Sequence, residues 1–294
     1  MPDCSSPSFL TPPDSNAHSA HSAWQARLTL GFALQDGGVS RLVERRHSGP
    51  LRVQKALYPE GGAVCHAIIV HPPGGVVGGD QLAVQATVGE GAHAFLTSPG
   101  AAKWYRANGH VSGQHIVLRA GAGAAIEWMP QESIFFDQAC VRLRHEVELA
   151  PDACYIGCDI ICLGRSASGE SFDSGSIAQH TQIRRGGKLL WWEQGLLAAD
   201  GPLMASPLGM HGLRVCATLI AVGGPVAAGV IEALRAIAVP DGARLGVTQM
   251  KTLVAVRLLG TDSEAARCAM LAAWQLLRPA IMGRVAVVPR IWNT

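Results

Sequence analysis

A tight turn returns along this chain at a near-constant interval. The segments Gly89-Glu-Gly91-Ala92, Gly121-Ala-Gly123-Ala124 and Pro151-Asp-Ala153 each follow one apolar run and precede another, and their starts lie 32 and 30 residues apart. The runs around them are short and rich in β-forming residues: 92–98, 114–119, 125–129, 133–136, 142–149, 153–163 and 188–193. Short β-rich segments separated by turn residues predict a mainly β body. A turn that recurs at a fixed period adds a finer expectation, stacked rungs or layered hairpins, because each unit buries its apolar face only against the next. An ordinary β-sandwich spaces its turns in much the same way, so both arrangements stay open on this ground.

The last third changes character. Val226, Val230, Leu234 and Ile237 share one face of a helix expected over about 225–239, opened by Gly224-Pro225 and stopped before Pro240. Thr261-Asp-Ser-Glu264 has the form of a capping box. It predicts a second helix over about 262–278, with Met270, Leu271, Trp274 and Leu277 inward and Pro279 at its end. Between them, alternating Val254, Val256 and Leu258 read as a strand within 250–259. The expectation is a single β-rich domain over 24–294 with two helices packed on its C-terminal part.

Charge is scarce: 48% of residues are hydrophobic and only 16% charged. This fits either an extensive partner interface or a large core rich in Ala and Gly, since an apolar count does not locate the surface. A net charge of +2, without a long Lys/Arg block, argues against nucleic acid. No membrane span is predicted, because the uncharged stretch 215–231 is cut by Gly223-Gly224-Pro225. Residues 1–23, rich in Ser, Pro and His, read as a disordered tail without the form of an export signal. Eight cysteines without a C-x-x-C pair then point to reduced thiols in a cytoplasmic protein. Cys154, Cys158 and Cys162 fall on one face of a strand, about 13 Å apart per neighbouring pair, which is too far for one metal and reads as buried hydrophobes.

Motifs for catalysis are missing: there is no G-x-S-x-G, H-E-x-x-H or P-loop. Residues 71–80 instead set four Gly and two Pro between His71 and Asp80, which reads as a shaped loop presenting backbone and one carboxylate. Four carboxylates, Asp80, Glu127, Asp159 and Glu193, stand in apolar surroundings. A buried acid is costly unless hydrogen-bonded, paired or metal-bound, so each either has an Arg, Lys or amide partner or belongs to an internal polar path. Spaced oxygen donors suit a divalent cation in transit, where a closed Cys/His cage would trap it. Among the eleven histidines, His71 has the best case for joining such a path, through its place beside the glycine loop. The apolar ending, with Arg290, Ile291 and Trp292, either docks back on the body or meets a partner.

Four segments, taken in order, resemble one family. They are residues 71–80 continuing into Ala92-His-Ala-Phe-Leu-Thr-Ser-Pro-Gly-Ala-Ala-Lys-Trp-Tyr-Arg106, then Glu127-Trp-Met-Pro-Gln-Glu132, Cys162-Leu-Gly-Arg-Ser-Ala-Ser-Gly-Glu170 and Pro289-Arg-Ile-Trp-Asn-Thr294. Together they resemble the UreD (UreH) family of urease accessory proteins, over about 24–294. The resemblance implies two stacked β-layers with a β-helix-like winding, and no enzymatic activity of its own. It implies binding to the urease apoprotein, recruitment of the accessory proteins UreF and UreG, and nickel(II) carried in transit through an internal tunnel with no metal permanently bound. It places Asp80, Lys103, Tyr105, Glu127, Glu132, Asp159, Arg165, Glu170 and Glu193 at characteristic polar positions. From these and from the isolated acids above, the expected nickel path is Asp80, Asp159, Glu193, Glu127 and His71, and the expected partner surface is Arg290, Ile291 and Trp292. Ser98 and Trp104 stand where the family pattern has Thr and Phe, both conservative changes. Two other readings remain at this point: a β-scaffold with no metal role, and a cytosolic nucleotide-binding or hydrolytic enzyme using the 74–79 loop.

Overall fold

The structure, a computed structural model, describes residues 23–293. The tail expected over 1–23 lies outside the described residues, except for Ala23. In chain order the strands are β1 (Gln25–Gln35), β2 (Val39–Ser48), β3 (Arg52–Val53), β4 (Cys65–Val70), β5 (Gln81–Val88), β6 (His93–Thr97), β7 (Ala102–Trp104), β8 (Ser112–Ala120) and β9 (Ala125–Trp128). They continue with β10 (Ser133–Phe135), β11 (Cys140–Leu149), β12 (Cys154–Leu163), β13 (Ser176–Arg185), β14 (Lys188–Ala198), β15 (Val215–Val222), β16 (Arg244–Met250) and β17 (Leu253–Gly260). Two helices, α1 (Ala228–Arg235) and α2 (Ser263–Met282), complete the body.

The strands form two layers. The first sheet runs β14-β13-β11-β8-β5-β1-β2, and the second runs β16-β17-β15-β12-β9-β6-β4-β3, with β7 and β10 attached beside β12. The chain alternates between layers from β4 to β13, and β5, β8, β11 and β13 pair in parallel in the first while β4, β6, β9 and β12 do so in the second. This is a β-solenoid: the chain winds, and each rung hydrogen-bonds the rung below. The recurrent turn of the sequence is the same corner on three successive rungs. Gly91 donates to the Ala122 carbonyl, Gly121 to Val88, and Ala150 to Ala120, so the corners stack as the strands do.

Period-2 patterning fills the space between the layers. Leu28, Leu30 and Phe32 of β1 and Leu82, Val84 and Val88 of β5 face Ile126, Tyr155 and Leu163 of the second sheet. The other face of the second sheet carries Phe95, Ile156, Cys158, Ile160 and Cys162, covered by α2 through Ala266, Met270, Ala273, Trp274 and Leu277. These α2 positions recur at helical spacing, and burial of each large one contributes about 1.5–3 kcal/mol. The second sheet is therefore apolar on both faces, which explains the near-continuous hydrophobic run in β12. Cys154 and Cys162 sit on this helix-facing side with Cys158, and burial pushes the Cys162 thiol up to about 12, the range of an unreactive thiol.

Both helix boundaries differ from the sequence reading. Helix α1 begins at Ala228 because residue 227 is still extended, so Pro225 precedes the helix instead of occupying its first turn. Helix α2 is capped by Asp262, whose carboxylate accepts from the Glu264 amide at 3.0 Å, and it runs one turn past Pro279 to a left-handed Gly283. A proline there forfeits one hydrogen bond near the end, while burial of the apolar face continues to hold the helix.

Candidate functional site

Two rows of side chains face each other between the layers. On the first sheet, register aligns Ile116, His145, Thr181 and Glu193 across β8, β11, β13 and β14. On the second sheet it aligns Asp159, Thr218 and Arg257 across β12, β15 and β17. The rows meet at both ends. His145 Nδ1 lies 3.6 Å from Asp159 Oδ2, and Arg257 donates to Glu193 at 2.5 Å while its guanidinium stands 5.3 Å from the Trp191 ring centroid. The result is a polar seam in an otherwise apolar sandwich. A cavity of about 30 Å³ opens beside His145, Asp159 and Thr181, enough for a water-sized guest. The Asp159 side chain keeps 41% exposure, so the seam is wet at this end, whereas His145 is buried and its Nε2 has no hydrogen-bond partner among the described residues.

The glycine loop is used for close packing. Val76 donates to the Lys103 carbonyl and Tyr105 to the Val76 carbonyl, so the loop runs as a short strand along β7. A side chain at Gly75 would meet the Tyr105 ring at 2.2 Å, and one at Gly78 would meet the Ala107 carbonyl oxygen at 1.8 Å. Asp80 is buried and accepts from the amides of Trp24 at 2.8 Å and Val77 at 3.1 Å, tying the loop to the start of β1. His71 lies half-buried nearby. Burial lowers its pKa, the Asp80 charge opposes this, and its Nε2 is unpartnered among the described residues. The Gly74, Val76, Val77 and Asp80 amides are all engaged within the protein.

Three of the quoted motifs converge beside this loop. Parallel pairing sets Lys103, Ile134 and Cys162 in register across β7, β10 and β12. Tyr105 packs edge-on against Phe136 at 4.8 Å, Arg165 lies 4.4 Å from the Phe136 centroid, and Arg165 is held by Glu170 at 2.5 Å. They edge a cleft of about 590 Å³. Glu132 stands at its margin, where its charge helps raise the Cys162 thiol and its carbonyl accepts from Ala102.

Glu127 belongs to a different place. It lies on the helix-facing side of the second sheet, fully buried, and accepts from His93 Nε2 at 2.7 Å, Trp274 Nε1 at 2.6 Å and Arg278 Nε at 3.0 Å. Arg278, also fully buried, continues to Glu60 through both terminal nitrogens at 2.7 and 2.9 Å, and Glu60 meets His66 at 2.7 Å. Burial alone would raise the Glu60 carboxyl, but hydrogen bonds from His66 and Arg278 outweigh it and hold it at about 2. This chain of charges joins β4, β6, β9, α2 and residue 60.

Of the five residues expected along a nickel path, then, Asp159 and Glu193 share the seam, Asp80 and His71 share the glycine loop, and Glu127 lies across the sheet. His145, Arg257, Glu60 and Arg278 were not singled out as their partners. Arg278 carried a readable signal, a charge on the helical face defined by Met270, Trp274 and Leu277, whereas the seam partners depend on strand register. At the C-terminal end, Trp292 docks back on the body. Its Nε1 donates to Thr97 Oγ1 at 2.8 Å, and its ring packs 6.0 Å from Phe95 and 6.1 Å from Trp274. Ile291 is half-buried and Arg290 exposed.

No group of three or more His, Cys, Asp or Glu side chains able to hold a metal ion occurs among the described residues. Among the described residues no helix is long and apolar enough to cross a membrane. A two-layer solenoid with a helical cap, whose acids sit in a seam and a buried clamp, defines a body suited to holding and presenting groups. The family model of the UreD urease accessory protein matches residues 25–293. Similar chains are the urease accessory protein UreD of a Janthinobacterium species, 60% identical over 92% of both chains, and that of Nitrosospira multiformis, 51% identical over 94% of this chain and 100% of that one. The corresponding protein of Dechloromonas aromatica is 49% identical over 92% of this chain and 95% of its own. The chain belongs to the UreD family: it is an accessory protein of urease, not an enzyme.

Proposed function

We propose that this protein acts in the cytoplasm as a maturation chaperone that binds the urease apoprotein, engages UreF-type and UreG-type accessory proteins and passes nickel(II) toward the urease active site. The observation that carries this reading is the family match over residues 25–293 together with relatives 60% and 51% identical along nearly their whole length.

The seam gives the passage a physical form. Asp159 and Glu193 supply carboxylate oxygens, Thr181 and Thr218 hydroxyls, and His145 an unpartnered ring nitrogen, all weak or solitary donors for a hydrated cation. Such donors, spread along a path, let an ion bind and leave. In this reading Glu193 exchanges Arg257 for the passing ion, Asp159 receives it at the wet end, and Asp80, His71 and Glu127 support the path by fixing the loop and the sheet beside it. Lys103, Tyr105, Glu132, Arg165 and Glu170 shape the cleft toward the partner proteins, with Arg290, Ile291 and Trp292 as a further contact segment.

The experiment is to replace Asp159 and Glu193 by Ala, separately and together, and to measure both co-purification with the accessory partners and urease apoprotein and the nickel content of the resulting urease. Retained complexes with several-fold lower nickel are expected. Unchanged nickel content would remove the seam from the pathway, and lost complexes would reassign both residues to assembly.

A further inference from the structure

The outer face of the first sheet has a trough that the seam does not explain. Register places Gln25, Gln81, Gly113 and Arg142 in one row across β1, β5, β8 and β11, and Arg27, Ala83, His115 and Arg144 in the next. The floor is formed by Gln81 and Ala83 on β5 and Gly113 and His115 on β8, with the Gln81 side chain lying over Gly113. Arg27 and its cross-strand neighbour Ser48 form one wall, and Arg142 and Arg144 form the other. Three strand spacings separate the walls, about 14 Å, which is the width needed for one extended chain with its side chains. The trough encloses about 450 Å³.

Its charge is only partly compensated. Elsewhere on the body some arginines are ion-paired, among them Arg119 with Glu148, Arg165 with Glu170, Arg257 with Glu193, Arg267 with Glu264, and Arg278 with Glu127 and Glu60, while others such as Arg45 and Arg235 are not. In the trough only Arg144 has a carboxylate, Glu146, which also takes His115. Arg27 and Arg142 are exposed and form neither an ion pair nor a side-chain hydrogen bond among the described residues. What sets Arg27 and Arg142 apart is placement, two unpaired guanidiniums on opposite walls of one groove. A guanidinium suits carboxylate or phosphate through its planar fork of donors.

We propose that this trough docks a carboxylate-rich extended segment of a partner protein. The arginines take the acidic side chains, and Gln25 and Ser48, which line the same trough, offer amide and hydroxyl groups to the partner's main chain. Nucleic acid is the poorer fit. No aromatic ring other than the His115 imidazole lines the trough, so it has no platform for bases, and the net charge of the chain is only +2. The surface lies on the opposite side of the first sheet from the seam, so it stands whether or not nickel passes there.

The test is fluorescence anisotropy of the full chain with a short labelled peptide of alternating Glu and Gly, at low and at physiological salt. Arg27→Gln/Arg142→Gln should weaken binding about tenfold, the sum of two lost ion pairs near the upper end for exposed sites, while Arg235→Gln on α1 should leave it within about twofold. Binding should also fall with added salt. Equal weakening in the trough and control variants, or no binding by the unsubstituted chain, overturns the proposal. So does inorganic tripolyphosphate displacing the peptide at far lower concentration than unlabelled peptide, which would assign the trough to phosphate. All three arginines are exposed, so these variants keep the fold.

Discussion

Arg278 is the most demanding side chain in the protein. A guanidinium with no exposed surface is tolerable only because Glu127, Glu60 and a backbone carbonyl accept its N–H hydrogen bonds. Removing one partner leaves a buried charge uncompensated. Glu127→Ala should therefore cost about 3–5 kcal/mol in urea denaturation, and a loss below about 1 kcal/mol would show that the clamp is not structural. Glu60 makes the same network sensitive to acid. Its folded pKa, about 2, lies below the ordinary 4.5, so its contribution is complete above about pH 5 and is lost as pH falls through the folded value. Stability measured from pH 6 down to pH 2 should decline by about 3 kcal/mol through this group, and Glu60→Gln should flatten the curve in that window. An unaltered curve in the variant would place the acid sensitivity elsewhere.

Loops and strands show what packing asks of single positions. Gly78 approaches the Ala107 carbonyl so closely that an added methyl would sit 1.8 Å from its oxygen, whereas Gly74, with φ of +79°, has open space around it. Gly78→Ala should thus lower thermal stability by the equivalent of 2 kcal/mol or more, roughly the cost of forced overpacking, and Gly74→Ala only by the strain of a left-handed residue, about 1–2 kcal/mol. Equal effects would mean that the loop yields freely. Trp292→Ala loses a hydrogen bond and aromatic packing, so it should cost about 1–2 kcal/mol in the isolated chain, whereas a tail made only for partners would show no loss. These elements were unevenly legible in the sequence. Strand β12 could be read because its two faces alternate, with Tyr155, Asp159 and Ile161 on one and Ile156, Cys158 and Ile160 on the other. Strand β13 is hard to read: only Ile177, Thr181 and Ile183 are buried, and the rest reads as a polar loop. The acids Asp159 and Glu193 stood out as solitary charges, but Arg257 lies 64 residues from Glu193 and meets it only because the layers fold into one register.

The whole molecule combines a repetitive body with a cap that is not repetitive. Rungs stack through hydrogen bonds between neighbouring turns of the winding, and each corner meets the one before it. Such a body tolerates change locally, as repeat architectures do, because each rung depends mainly on its neighbours. The cap does not share this independence. Helix α2 and Trp292 cover one face of the second sheet through residues drawn from distant parts of the chain.

That arrangement imposes a schedule on synthesis. Arg278 reaches Glu60 across 218 positions and Glu127 across 151, so both acids leave the ribosome long before the cation that neutralises them. Early windings can associate while translation continues, yet they must keep a hydrated pair of carboxylates on an unfinished surface until the final helix arrives. A nascent chain stalled before residue 278 should accordingly remain protease-sensitive around residue 60, and would become resistant only when the last segment emerges.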